Sequence, residues 1–215
     1  VSPDSGDGKT FFAANLAVAL AQLGGRVLVL DADLRHPRQH QVFGIDNRAG
    51  LSGILSGRAE SKVIQQVAGV PSLFVLPVGI TPPNPLELVE RPAFGLLVRE
   101  LLAKFDHVVV DTPAAVYGSD AGVIAARCGA ALVVARRHKA RVAALQELVA
   151  SLANPAAPTE TDTQVKQLLA DIVEASGGKI SARFDGTNAR KPSFSLVRPE
   201  TANGSGPALN LTFAG

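Results

Sequence analysis

Unbroken apolar runs alternate with helical stripes along the first 150 or so positions of the chain. Arg26-Val27-Leu28-Val29-Leu30, Ser72-Leu73-Phe74-Val75-Leu76, His107-Val108-Val109-Val110 and Ala130 to Ala135 are such runs. Short segments apolar at every position suit strands covered on both faces, as in parallel sheets. Between them lie helix patterns. Thr10 to about Leu23 is rich in Ala and Leu, and Arg141 to Leu152 reads as a second helix. Pro92 to Lys104 is expected to bury Phe94, Leu97, Leu101 and Leu102 along one side. Strand–helix alternation of this kind predicts an α/β fold: a doubly wound, mostly parallel sheet with right-handed crossovers.

The pattern changes after Leu152. Asn154-Pro155-Ala156-Ala157-Pro158 reads as a linker. Val165, Leu168, Leu169, Ile172 and Val173 then trace one helix face, which Gly177-Gly178 ends. Short β-like runs at Lys179–Phe184, Ser193–Val197 and Ala208–Phe213 are separated by Asp185-Gly186 and Asn203-Gly204, the makings of an antiparallel patch. The expected organisation is a main α/β domain over 1–152, a linker over 153–163, and a divergent helix-plus-strands segment over 164–215 of unassigned role. Whether that segment joins the main sheet is left open by the pattern.

Composition narrows the function classes. At 47% apolar, the 215 residues can fill a core. A net charge of +2, from 21 basic and 19 acidic side chains, is too balanced for a nucleic-acid partner. Cys128 is the one cysteine, so a disulfide framework and a cysteine metal cluster are excluded. No run reaches the roughly 18 apolar residues of a membrane span, and no signal peptide opens the chain.

The chemistry is concentrated at three places. Val1-Ser2-Pro3-Asp4-Ser5-Gly6-Asp7-Gly8-Lys9-Thr10 reads as a phosphate-cradling loop running into a helix. Gly6 and Gly8 let successive N–H groups turn toward an anion. Lys9 is placed to reach β- and γ-phosphates, Thr10 to bind Mg²⁺, and the helix dipole assists. The strict pattern wants Gly where Pro3 stands, and a Gly-rich turn before an ordinary helix is the plainer reading. The second place is Asp31-Ala32-Asp33-Leu34-Arg35, at the end of an apolar strand, where open α/β sheets bind ligands. Its carboxylates suit an outer shell for Mg²⁺ or a base for an incoming hydroxyl, or else cap a turn. Third is Asp111, which closes a later strand as a metal-organising carboxylate or a strand-end cap. A phosphate loop normally follows a buried strand, and only Val1 stands for it. The sequence is therefore expected to be a fragment with its first strand truncated.

Together these residues resemble the cytoplasmic domain of bacterial tyrosine kinases of the exopolysaccharide chain-length and export family. The resemblance covers residues 1 to about 152. Ser2 and Gly6-Asp7-Gly8-Lys9-Thr10 fit that family's phosphate loop, with Ser5 where proline is usual. The apolar run into Asp-x-Asp-x-Arg appears whole from Leu28 to Arg35, with Pro37 behind it, and Val108 to Asp111 supplies the third motif. Gly50-Leu51-Ser52, Pro82-Pro83-Asn84-Pro85 with Glu87-Leu88, and Asp111-Thr112-Pro113 are further landmarks.

The resemblance implies ATP and Mg²⁺ as cofactors. Ser5, Gly6, Asp7, Gly8, Lys9, Thr10 and Arg35 would bind nucleotide, Thr10, Asp31, Asp33 and Asp111 would serve the metal, and Lys9, Asp31, Asp33 and Asp111 would carry phosphoryl transfer. It also implies a polysaccharide co-polymerase membrane partner, a homo-oligomer in the longer protein, and a cytoplasmic place at the inner face of the bacterial inner membrane. Two departures stand out. The family phosphorylates a tyrosine-rich tail, whereas Tyr117 is the one tyrosine here and follows Asp111 closely, so it is expected to pack near the site. Residues 153–215 match nothing in the family. A nucleotide-gated binding switch, which passes phosphate to water alone, is the alternative. A ParA/MinD-type partition ATPase is disfavoured by Asp4, where those proteins carry a second signature lysine. Arg136 to Arg141 is the one basic cluster and reads as a solvated turn, and the four histidines lack metal-ligand spacing.

Overall fold

The computed structural model describes residues 1–58 and 62–152, together with strands at 181–185, 193–197 and 209–213. The expected linker at 153–163 and the helix through Val165–Val173 lie outside the described residues. The chain divides into two compact units, Lys9–Pro113 with Tyr117–Arg127, and Val1–Gly8 with Ala114–Val116 and Cys128–Gly215.

The first unit is a mixed α/β layer built on a mostly parallel sheet. Its elements are α1 (Lys9–Gln22), β1 (Val27–Asp31), α2 (Gln39–Phe43), α3 (Leu51–Leu55), β2 (Gln65–Gln66), β3 (Leu73–Leu76), α4 (Pro85–Glu90), α5 (Pro92–Leu102), β4 (His107–Asp111) and α6 (Asp120–Ala125). The strand order is β2-β3-β1-β4. Strand β1 pairs in parallel with β3 on one side and β4 on the other, while β2 adds an antiparallel edge. The order reverses at β1, and open α/β sheets bind ligands where such a reversal leaves a crevice at the strands' C-terminal ends. Val27, Leu28, Val29 and Leu30 are wholly buried. Each such side chain contributes about 1.5–3 kcal/mol, which makes β1 the spine of the unit.

Helix α1 buries Ala13, Ala14, Ala17, Leu20 and Ala21. Small side chains let its backbone come close to the sheet. Helix α5 buries Phe94, Val98 and Leu101, whereas Leu102 is 53% exposed. The expected face is corrected by one position: Val98 completes the i, i+4, i+7 row, and Leu102 lies off it. Arg26, just before β1, sets its guanidinium over the touching rings of Phe74 and Phe105, 5.1 and 4.9 Å from their centroids.

The Gly50-Leu51-Ser52 landmark has a steric basis. The N–H groups of Leu51 and Ser52 donate to the carbonyls of Pro77 and Val78 at 2.9 Å, and Ser52 Oγ donates to Ile80 O at 2.6 Å. A Cβ on Gly50 would stand 2.1 Å from Pro77 O, so only glycine permits this backbone approach.

The second unit carries a sheet of order β5-β8-β7-β6, from Leu132–Arg136 (β5), Ser181–Asp185 (β6), Ser193–Val197 (β7) and Leu209–Phe213 (β8), with α7 at Val142–Leu152. The strand pairings among its described residues are antiparallel. The three late strands therefore form the expected antiparallel patch. The run at Ala130–Ala135 differs from expectation, because β5 pairs with β8 instead of extending a parallel sheet. A wholly apolar run records burial on both faces but not the direction of its neighbour. The other edge of β5 is met by the chain's first residue: the Val1 amino group donates to Leu132 O at 2.9 Å, and Val134 N–H donates to Val1 O at 2.8 Å. Val133, Leu148 and Val149 form this unit's buried cluster.

Candidate nucleotide site

The phosphate loop is shaped by its own polar side chains. Buried Ser2 donates from Oγ to Asp4 O at 2.7 Å, and Asp4 N–H donates to the Oδ2 of buried Asp7 at 3.2 Å. Gly6 and Gly8 have φ of +82° and +98°. Nothing lies within 4 Å of a Cβ built on Gly6, so conformation rather than crowding selects glycine there. Ser5 and Gly6 are exposed. Gly8 is followed directly by Lys9 and Thr10, the first residues of α1.

Asp31 and Asp111 occupy matching final positions of adjacent strands β1 and β4. Asp31 Oδ1 accepts from Asp33 N–H at 3.2 Å, and its Oδ2 accepts from the N–H groups of Arg38 and Gln39 at 3.2 and 3.0 Å. Asp33 turns its Oδ1 to the N–H groups of Arg35 and His36, at 3.2 and 2.9 Å. Both acids of the Asp-x-Asp motif thus shape the chain after β1, the capping role left open by the sequence. Gln39 is wholly buried at the start of α2 and spans the cluster. Its Nε2 donates to Asp111 Oδ2 at 2.9 Å and to the Thr10 carbonyl at 3.1 Å.

Burying this many acids has an electrostatic consequence. Burial, then the neighbouring Asp111, pushes the Asp31 carboxyl up to about 8 from its ordinary 3.8. Burial also raises Asp111, while hydrogen bonds from Gln39 and Thr10 and the charge of Lys9 hold it back. Asp111 Oδ1 and Gln39 Oε1 are buried with no hydrogen-bond partner. Orphaned oxygens beside excess negative charge fit a divalent cation. Among the described residues no three carboxylate, imidazole or thiol groups converge into a cage, so Asp31, Asp33 and Asp111 do not form one unaided. Mg²⁺ fits such a half-built site, since it keeps several waters and takes further oxygens from phosphate.

Arg35, expected to bind nucleotide, spends its guanidinium on Asp120 at the start of α6, with Nε 3.2 Å from Oδ1 and Nη2 3.0 Å from Oδ2. Asp120 itself is buried. Tyr117 packs its ring against His36 at 4.9 Å between centroids and is 40% exposed. The basic cluster from Arg136 forms an exposed turn closed by Lys139 and Ala140 N–H donating to Arg136 O, with His138 at φ +63°. Gln39 and Asp120 were not among the expected site residues. A glutamine opening a short helix and an acid following Ser119 both look like ordinary surface or capping positions in a sequence.

The model for the CobQ/CobB/MinD/ParA nucleotide binding domain matches residues 1–184. The tyrosine-protein kinase Ptk of Acinetobacter johnsonii is 38% identical over 139 residues, which are 65% of this chain and 19% of that protein. Wzc of Salmonella typhimurium is 38% identical over 136 residues, 63% of this chain and again 19% of the relative. The chain thus spans about a fifth of these curated relatives. Among solved structures, the kinase domain of Escherichia coli ETK superposes with a TM-score of 0.65 at 36% identity, covering 70% of this chain and 61% of that one. The VpsO kinase domain gives a TM-score of 0.66 at 30% identity, covering 71% and 75%.

Proposed function

The chain belongs to the CobQ/CobB/MinD/ParA nucleotide-binding domain family and is of the bacterial tyrosine kinase type, and from that premise we propose that it binds ATP with Mg²⁺ and transfers the γ-phosphoryl group. The observation that carries this reading is the meeting of Thr10, Gln39, Asp31 and Asp111 at the C-terminal edge of β1 and β4.

In this reading the N–H groups around Ser5, Gly6, Asp7 and Gly8 cradle the phosphates, and Lys9 supplies a positive charge to the β- and γ-oxygens. Thr10 would hold the metal through its hydroxyl, with Asp111 and Asp31 in its outer shell. Bound Mg²⁺ would offset phosphate charge in the transition state. Asp31, Asp33 and Asp111 would together organise the metal and activate the attacking oxygen. Asp33 shapes the turn that carries Arg35 and adds negative charge beside Asp31.

The phosphoacceptor separates two versions. Tyr117, the one tyrosine in this sequence, is packed on His36; transfer to a protein tyrosine is one version, and transfer to water alone in a nucleotide-gated switch is the other. A role beside a polysaccharide co-polymerase at the inner membrane face belongs to the same reading; among the described residues no helix is long and apolar enough to cross a membrane. Self-association belongs to the same proposal. Incubation with γ-labelled ATP, with Lys9→Met as control, tests it. Label on protein tyrosine supports the kinase, and free phosphate alone supports the switch. No Lys9-dependent turnover or nucleotide binding would defeat both.

A further inference from the structure

We propose that Gln39 is a positioning residue for the divalent cation, holding Asp111 and the first turn of α1 in the arrangement that receives a metal–nucleotide complex. This rests on the nucleotide reading above and assigns to it a residue outside the expected motifs.

The geometry of the amide is determined by its neighbours. Nε2 faces the Asp111 carboxylate at 2.9 Å and the Thr10 carbonyl at 3.1 Å. Both are acceptors, so the NH₂ group must point at them, and each of its hydrogens is used. The main-chain N–H of the same residue donates to Asp31 Oδ2 at 3.0 Å. One side chain and its backbone therefore tie the ends of β1 and β4 to the start of α1. Engaging Asp111 through Oδ2 fixes the rotation of that carboxylate and leaves Oδ1 buried without a partner. Orienting the NH₂ group in turn leaves Gln39 Oε1 buried without a partner. These two oxygens flank one shared hydrogen bond. A hydrated cation bound by Thr10 would supply water hydrogens to both of them, which a purely structural glutamine would not require.

The full chain tests this with a fluorescent ADP derivative, titrated with Mg²⁺ and separately in EDTA. Gln39→Met keeps the length of the side chain and removes its polar atoms. The half-saturating Mg²⁺ concentration is expected to rise about tenfold or more, the usual effect of losing an outer-shell partner, while affinity in EDTA changes less than about twofold. Mn²⁺ titrated into the ADP-loaded protein and followed by electron paramagnetic resonance should show the same loss directly. Gln41→Met, on the exposed side of α2, should match the unaltered chain. Equal weakening with and without the metal would make Gln39 a packing residue and overturn the proposal, as would an unchanged Mg²⁺ dependence. An unaltered chain that binds no nucleotide in either condition would defeat the nucleotide reading itself, and this inference with it.

Discussion

Asp31 and Asp111 end adjacent parallel strands in register, and the N–H of Ala32 donates to the Asp111 carbonyl at 2.8 Å. Two buried acids share one end of a sheet, with burial acting on both and the charge of Asp111 acting on Asp31. Folding therefore raises the Asp31 carboxyl from 3.8 to about 8. Across that window the folded chain holds a proton that the unfolded chain has released. The stabilisation is complete below about pH 4 and is lost as pH rises toward 8. Urea unfolding without nucleotide should show stability falling by roughly 1 kcal/mol or more between pH 5.5 and 8. Saturating Mg²⁺·ADP should flatten that slope, because a cation takes the proton's place. A slope of the opposite sign would refute the account.

Asp111→Asn separates the stability of the acid pair from its use. An asparagine oxygen can still accept from Gln39 Nε2, while the charge that raises Asp31 is gone. The variant should unfold at higher denaturant, by about 1 kcal/mol at pH 8, yet lose the Mg²⁺ enhancement of nucleotide binding. Equilibrium unfolding and nucleotide titration on the same preparation read both effects.

Arg35 and Asp120 form a two-point ion pair whose acid is buried. Asp120→Ala should cost about 2–3 kcal/mol, more than an exposed pair would, because the geometry is bidentate and one partner lies out of solvent. A double-mutant cycle with Arg35→Ala should give a coupling of about 1–2 kcal/mol. Coupling near zero would mean that the pair merely coexists.

Gly50→Ala is expected to be among the most damaging single substitutions. The new methyl would lie 2.1 Å from Pro77 O and 2.6 Å from Gly79 N, both backbone atoms with nowhere to move. A loss above about 3 kcal/mol, or failure to accumulate as folded protein, should follow. Gly122→Ala, where a Cβ meets nothing within 4 Å, is the matched control.

The strands β1, β3 and β4 were legible because residues buried on both faces leave unbroken apolar runs, as Val27–Leu30 does. Strand β2 was not: Gln65-Gln66 carries no periodic signal, and only its pairing with Val75 and Phe74 makes it a strand. Lys9, Thr10, Asp31 and Asp111 are singled out by spacing and position at strand ends, and the structure brings Thr10, Asp31 and Asp111 together at Gln39. Gln39 was not, because its significance lies in reaching Asp111 and Thr10, contacts far apart along the chain. The pairing of Arg35 with Asp120 was also hidden, since the two lie 85 residues apart. The direction of β5 was likewise hidden, because it depends on β8.

The alanines along α1 bear on how this domain can move. A methyl group has no rotamers to exchange, so Ala13, Ala14, Ala17 and Ala21 give the helix no soft padding on which to tilt or slide. The end that carries Lys9 and Thr10 is thereby a fixed anvil. Lys9 and Thr10 are therefore expected to shift less than they would on a helix packed through long side chains with many rotamers.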